Sequence, residues 1–319
     1  MPTPAAAVAV LLVVAVATRP WIGHWFDGPA VQNWSTIFVA ISVQAVPFLV
    51  LGVTVSGAIA AFVPQGFLAK ALPRRAALSV PVAALAGAVL PGCECGSVPV
   101  AGRLVARGAP PAAAVTFLLA APAINPIVLV ATAVAFPGRP VMVLARFLAS
   151  LLAAMVVGFT WSRVGKDEWV AKVKGTSLEG SRTQLFFDTA LHDVLHAGGF
   201  LVVGAGLAAT LQTVVPRNVL DSVAGHGPLA VLALAGLAVL LAVCSEADAF
   251  IAASLSQFSF TARLAFMTVG PMVDVKLVAL QAGTFGRRFA MRFAPLTFVA
   301  ALASAALIGW WLLPSGGGR

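Results

Sequence analysis

The chain has 319 residues, of which 60% are hydrophobic and 10% charged, with a formal net charge of +9 and a mean hydropathy of +0.99. A soluble domain keeps about a quarter of its residues charged, so this composition excludes an ordinary globular protein. Continuous Ala/Val/Leu runs exclude a β-barrel, whose strands would alternate. No basic, aromatic-interleaved face points to nucleic acid, and the positive charge belongs to loops beside lipid headgroups.

The expected fold is all-α: a polytopic membrane helix bundle of about eight or nine hydrophobic segments, with an internal two-fold repeat and broken or re-entrant helices. The segments fall near 4–18, 36–63, 76–106, 110–136, 140–161, 186–213, 228–257, 262–285 and 292–313. Many reach the ~20 residues that a span needs. Met1–Val16 carries no Lys or Arg ahead of its apolar run, unlike a secretory signal, and reads as a first membrane helix. The domain reading is an N-terminal membrane helix (1–30), a first repeat (31–162), a hydrophilic loop (163–185) and a second repeat (186–319). The loop, centred on Arg163–Gln184, is rich in Lys, Glu, Ser and Gly.

The two halves align residue by residue. Segment 117–139, FLLAAPAINPIVLVATAVAFPGR, runs without gaps on 266–288, FMTVGPMVDVKLVALQAGTFGRR. Phe117, Pro122, Asn125, Phe136 and Arg139 meet Phe266, Pro271, Asp274, Phe285 and Arg288. Upstream, CECGS at 93–97 falls on CSEAD at 244–248, and PFLVLG at 47–52 on GFLVVG at 199–204. If every segment spans, the repeats are parallel and the Lys/Arg residues divide almost evenly between the two sides. If 76–106 and 228–257 are re-entrant hairpins, the repeats invert and 13 basic residues share one side against six. Orientation follows Lys/Arg bias, which favours the inverted arrangement with the N-terminus and the 163–182 loop in the cytoplasm.

Four polar interruptions occupy the paired positions: Gly92–Ser97, Pro122–Pro126, Cys244–Asp248 and Pro271–Lys276. Gly and Pro break the helical ladder, and the freed backbone groups need protein or water partners. Ionisable residues at such depth face the bundle interior and mark functional sites. Matched interruptions in two halves point to a transporter's binding site. The candidate solute-binding residues are Cys93, Glu94, Cys95, Ser97, Asn125, Cys244, Glu246, Asp248, Asp274 and Lys276. Cys-X-Cys offers two soft ligands to one ion without the ligand pairs of a closed structural zinc site. Cys93, Cys95 and Cys244 are therefore the candidate metal-contacting residues. The plainer readings are a buried apolar role for Cys244, local charge pairing for Asp274 and Lys276, and helix capping for Asn125. His192, Asp193 and His196 form a secondary cluster, the two histidines sharing a helical face; interfacial side chains are the simpler explanation.

Absent motifs bound the chemistry. The chain has no GxxxxGK(S/T) loop and neither a GxSxG nor an HExxH motif, so any transport is secondary or powered by a partner. No cofactor is expected.

The stretch PGCECGSVPVAGRLVARGAPPAAAVTFLLAAPAINP (91–126), with PFLVLG (47–52) and GPMVDVKL (270–277), resembles the organoarsenical-permease-like or UPF0718 family of predicted permeases over roughly 31–313. The resemblance implies a permease of eight or so helices in the cell (inner) membrane, with Cys93, Cys95, Asn125, Cys244 and Asp274 as its functional positions. Some members export trivalent organoarsenicals; others are encoded beside a small companion membrane protein and linked to zinc regulation. In this chain Glu94 separates the cysteines, and Glu246 and Asp248 sit in the paired loop, an acidity that favours a cationic metal. The expected function is efflux of a thiophilic solute, a metal ion or trivalent metalloid compound, by a non-enzymatic membrane permease of undetermined oligomeric state. The expected partners are the lipid bilayer, the solute and a small companion membrane protein, with no nucleic acid. The rival readings are a partner-dependent subunit of a larger complex and a membrane thiol-redox enzyme, which would lack the C-x-x-C spacing.

Overall fold

A computed structural model describes residues 28–64, 67, 73, 75–89, 93–165, 181–214 and 227–313. The segment predicted over 4–18 and most of the 163–182 loop lie outside them. The described residues form helices α1 (Pro29–Phe62), α2 (Ala76–Val89), α3 (Glu94–Ala106), α4 (Pro111–Ile124), α5 (Pro126–Ala135) and α6 (Pro140–Val164). The second half holds α7 (Arg182–Val214), α8 (Gly227–Leu241), α9 (Asp248–Ser254), α10 (Phe260–Val269), α11 (Val275–Thr284) and α12 (Arg287–Leu312). Among the described residues, five stretches are long and apolar enough to cross a membrane: α1, α4–α5, α6, α7 and α12. This is a polytopic helical membrane protein.

Proline and glycine set the boundaries. Pro29, Pro111, Pro126 and Pro140 stand at the first turns of α1, α4, α5 and α6, where the missing N–H removes no intrahelical bond. Gly138 and Gly286, at φ +74° and +105°, turn the chain into α6 and α12 in the region that an L side chain resists.

The direction of each helix follows from its contacts. Near the C-terminal end of α1, Gly57 lies against Phe186 at the start of α7; at the other end, Trp34 Nε1 donates to Thr210 Oγ1 at 3.0 Å. The long helices of the two halves are thus antiparallel. Helix α2 runs in the same direction as α4: Val80 and Thr116 both lie over Gly158, and Gly87 meets Ala120 and Ala121. Helix α3 then returns, and the Arg107 guanidinium beyond its end donates to the Ala60 carbonyl near the end of α1. With 14 and 13 residues, α2 and α3 reach only about 20 Å each at 1.5 Å per residue, short of the ~30 Å hydrocarbon core. They form a re-entrant hairpin that enters and leaves at one rim.

The second half runs the other way. Arg139, between α5 and α6, stacks over the Phe260 ring at 4.4 Å, which puts the start of α10 at the rim opposite the hairpin's feet. Helix α8 ends where α10 ends, with Ala238 beside Gly270, and α9 leads back toward the start of α10. Trp161, near the end of α6, meets Phe289 and Phe293 near the start of α12, so these two spans are antiparallel as well. Outward-facing Val43, Val46, Val50, Val202, Val203 and Leu207 give α1 and α7 an apolar surface. Exposed Trp310 and Trp311 end α12, as interfacial aromatic anchors do.

Candidate functional site

Four helices begin at the interruptions: α3 and α9 at the hairpin tips, α5 and α11 at the breaks of the two interrupted spans. Each N-terminus leaves backbone N–H groups to be satisfied, and the aligned peptide dipoles favour negative charge there. The polar residues stand where that physics places them. Asn125 caps α5, accepting from Val128 N at 3.0 Å while donating to Ala121 O at 2.8 Å. Its repeat partner Asp274 caps α11, accepting from Leu277 N at 2.6 Å. Glu94 and Asp248 occupy the first turns of α3 and α9. The two tips share one backbone turn: Cys93 O accepts from Gly96 N and Ser97 N, both at 3.1 Å, and Cys244 O from Ala247 N and Asp248 N at 2.9 and 3.1 Å. Ser97 Oγ also donates to Glu94 O at 3.0 Å.

The tip of the first hairpin meets the interrupted span of the second half. Lys276 Nζ donates to Glu94 Oε1 at 2.7 Å and to Ala242 O at 3.3 Å, and stands 3.9 Å from Asp274 Oδ2 and 4.0 Å from Cys244 Sγ. Lys276, Glu94 and Asp274 are all fully buried. The cysteines are buried free thiols.

Glycines matched between the halves permit this approach. A Cβ on Gly52 of α1 would lie 2.7 Å from Gly96 O, and one on Gly204 of α7 would lie 2.7 Å from Lys276 Cα. Real Cβ atoms do not approach so closely, so these positions hold α1 against α3 and α7 against α11.

A second buried ion pair joins the halves at the other corner. Arg146 of α6 donates to Asp248 Oδ2 at 2.7 Å, to Ser245 O at 3.2 Å and to Thr132 Oγ1 at 2.9 Å. Arg146 and Thr132 are absent from the sequence-based set. A lone Arg inside an apolar run was the available signal, since such a charge needs a partner within the protein. Glu246, in the tip of the second hairpin, keeps both carboxylate oxygens buried with no hydrogen-bond partner among the described residues.

The secondary cluster lies elsewhere and serves packing. Asp193 pairs with Arg103 of α3 at 2.8 Å and accepts from Ser56 of α1 at 2.5 Å. His192 stacks on His196, 5.7 Å between centroids, and His196 Nε2 lies 3.1 Å from Gly283 O. These contacts bind α7 to α1, α3 and α11. Among the described residues, no group of three or more His, Cys, Asp or Glu is spaced to hold a metal ion. Of the three cysteines, Cys244 lies beside the ammonium of Lys276, with Sγ 4.0 Å from Nζ.

Residues 30–310 match a family model described as predicted permease. The chain is 36% identical over 282 residues to UPF0718 protein YcgR of Bacillus subtilis, covering 86% of this chain and 96% of that protein. It is 34% identical over 268 residues to a Streptococcus mutans protein named "Putative two-component membrane permease complex subunit", covering 81% of this chain and 88% of that one. No solved structure matches. The chain belongs to the predicted-permease family.

Proposed function

We propose that this member of the predicted-permease family is a secondary transporter that moves a small thiophilic solute out of the cell. The solute is a metal ion or trivalent metalloid compound that binds at the polar centre between the two inverted halves. The observation that carries the reading is the meeting of Glu94, from one half, with Lys276, Asp274 and Cys244 of the other at buried helix breaks. A site shared by two inverted halves opens to either side when one half rocks against the other. Thiols supply soft ligands, and the acids balance charge. Thiol ligands must shed protons to bind metal, so binding weakens as pH falls. The rim holding Arg103, Arg107 and Arg287 faces the cytoplasm in this reading, following the bias of basic residues.

Proteoliposomes loaded with zinc, copper(I), arsenite or methylarsenite test it. One of these solutes is expected to cross with the wild type, and Cys93→Ser/Cys95→Ser to abolish that movement. Unchanged transport by the double variant removes the thiols from the mechanism.

A second reading makes the chain one subunit of a two-component permease. It is supported by the name of the Streptococcus mutans relative and by an asymmetry of packing. Helices α1 and α7 pack over α3 and α11, whereas the counterpart corner formed by α5 and α9 has no such pair along it among the described residues. Ile127, Val130, Val134 and Phe250 stand exposed there. A stoichiometric membrane partner that co-purifies, and without which the reconstituted chain moves no solute, would establish this reading.

A further inference from the structure

The four groups around Lys276 Nζ come from separate places in the chain. Glu94 Oε1 comes from the tip of the first hairpin, Asp274 Oδ2 from the cap of α11, Ala242 O from the end of α8 and Cys244 Sγ from the tip of the second hairpin. Each is a cation acceptor or soft ligand, and no second cationic side chain touches them among the described residues.

Two further observations show a built site rather than one opportunistic ion pair. Ala242 adopts φ +48° and is the described non-glycine residue with positive φ. A residue with a Cβ adopts that conformation at a cost, and here it accompanies a carbonyl that accepts from the Lys276 ammonium. Glu94 Oε2 and Asp274 Oδ2 are buried without a hydrogen-bond partner, although burying an unpaired acceptor is costly. An ammonium satisfies only part of what this cradle offers.

We infer that the cradle of Glu94, Asp274, Ala242 O and Cys244 is a cation site, and that the Lys276 ammonium is its tethered occupant between transport events. The inference rests on the permease reading only for the cargo's movement. It narrows the cargo to a cation, with a carboxylate, carbonyl and thiol set suited to a soft or borderline ion. The contacts of 2.7–4.0 Å around Nζ have ammonium dimensions. A smaller metal ion at the same centre draws the ligands inward once the lysine has left. Because the ammonium is tethered, it competes at a high effective concentration. An empty carrier therefore keeps one of its two acids neutralised, and cargo binds by displacing the side chain one for one.

The test titrates Cd2+ against purified full-length protein in nanodiscs, reading thermal stability and the ultraviolet absorption of cadmium–thiolate bonds. Lys276→Met keeps the length of the side chain and removes the resident cation, and is expected to bind Cd2+ at least about tenfold more tightly than the wild type. Adding Glu94→Gln or Cys244→Ser to Lys276→Met is expected to abolish the gain. If Lys276→Met folds only with cation present, recovery of folded protein by Cd2+ is the same positive result. Equal affinity for the two proteins, a gain that survives Glu94→Gln, or an unfolded Lys276→Met that Cd2+ does not recover would each overturn the inference. The transport reading fails separately: a wild type that moves no solute, beside a Lys276→Met that binds Cd2+ tightly, removes transport and leaves the cradle.

Discussion

Arg146 and Asp248 tie the two halves together through a pair with side-chain exposures of 0% and 2% and an N···O distance of 2.7 Å. At that separation and an effective dielectric of about 20, the charges attract by about 6 kcal/mol. Desolvating each ion costs several kcal/mol, so the intact pair nearly breaks even. Breaking it does not. Arg146→Met leaves Asp248 buried without its partner, so that it either carries an uncompensated charge or must take up a proton, and is expected to cost about 3–5 kcal/mol. In Arg146→Met/Asp248→Asn no charge is stranded. What remains lost are the hydrogen bonds from Arg146 to Thr132 and Ser245, about 1 kcal/mol each. The double variant is therefore expected to be more stable than the Arg146 single variant, with a coupling of about 2 kcal/mol or more. Reversible unfolding of the four proteins in mixed micelles, followed by tryptophan fluorescence, measures it as a double-mutant cycle. A coupling below about 0.6 kcal/mol, the average for an interhelical hydrogen bond in a membrane, would refute the claim that this pair is a mutually dependent buried charge pair.

Two further outcomes follow from the packing. Gly204→Ala places a methyl group 2.7 Å from Lys276 Cα and is expected to destabilise by about 1–3 kcal/mol through overpacking and to abolish transport, as is Gly52→Ala; exposed Gly199→Ala, with nothing near its Cβ position, serves as the control and should leave both unchanged. For the re-entrant hairpins, a membrane-impermeant thiol reagent applied to right-side-out vesicles should distinguish Arg75→Cys and Gly165→Cys from Pro137→Cys and Gly227→Cys, each pair labelling as a unit from opposite faces; Gly165→Cys and Gly227→Cys labelling from one face would contradict the antiparallel halves.

Much of the architecture was legible from local chemistry. The Pro122–Pro126 and Pro271–Lys276 interruptions end α4 and α10 because proline, glycine and a capping side chain act on their own neighbours. The gapless alignment of 117–139 on 266–288 already matched Asn125 with Asp274, and both proved to be N-caps. The segment predicted over 76–106 held as a place but not as one helix: it is two short helices around a tip, as the re-entrant alternative required. PFLVLG and GFLVVG were recognisable as repeats, whereas the reason for their final glycines was not, because it lies in the backbones of Gly96 and Lys276.

The composition and the period of its interruptions determined by themselves that the chain is a helical membrane protein, broken at four matched depths with ionisable residues at the breaks. Bilayer thickness, backbone hydrogen bonding and helix capping are rules that act within a few residues, and sequence states them directly. Partner choice was decided only by the tertiary structure. Lys276 meets Glu94, 182 residues away, Asp248 meets Arg146, and Asp193 meets Arg103 at 2.8 Å besides its neighbour His192 at 3.4 Å. Each pairing joins elements of the two halves, as where the tip of the first hairpin arrives beside the broken span of the second half, and no local rule encodes which charge will be waiting there.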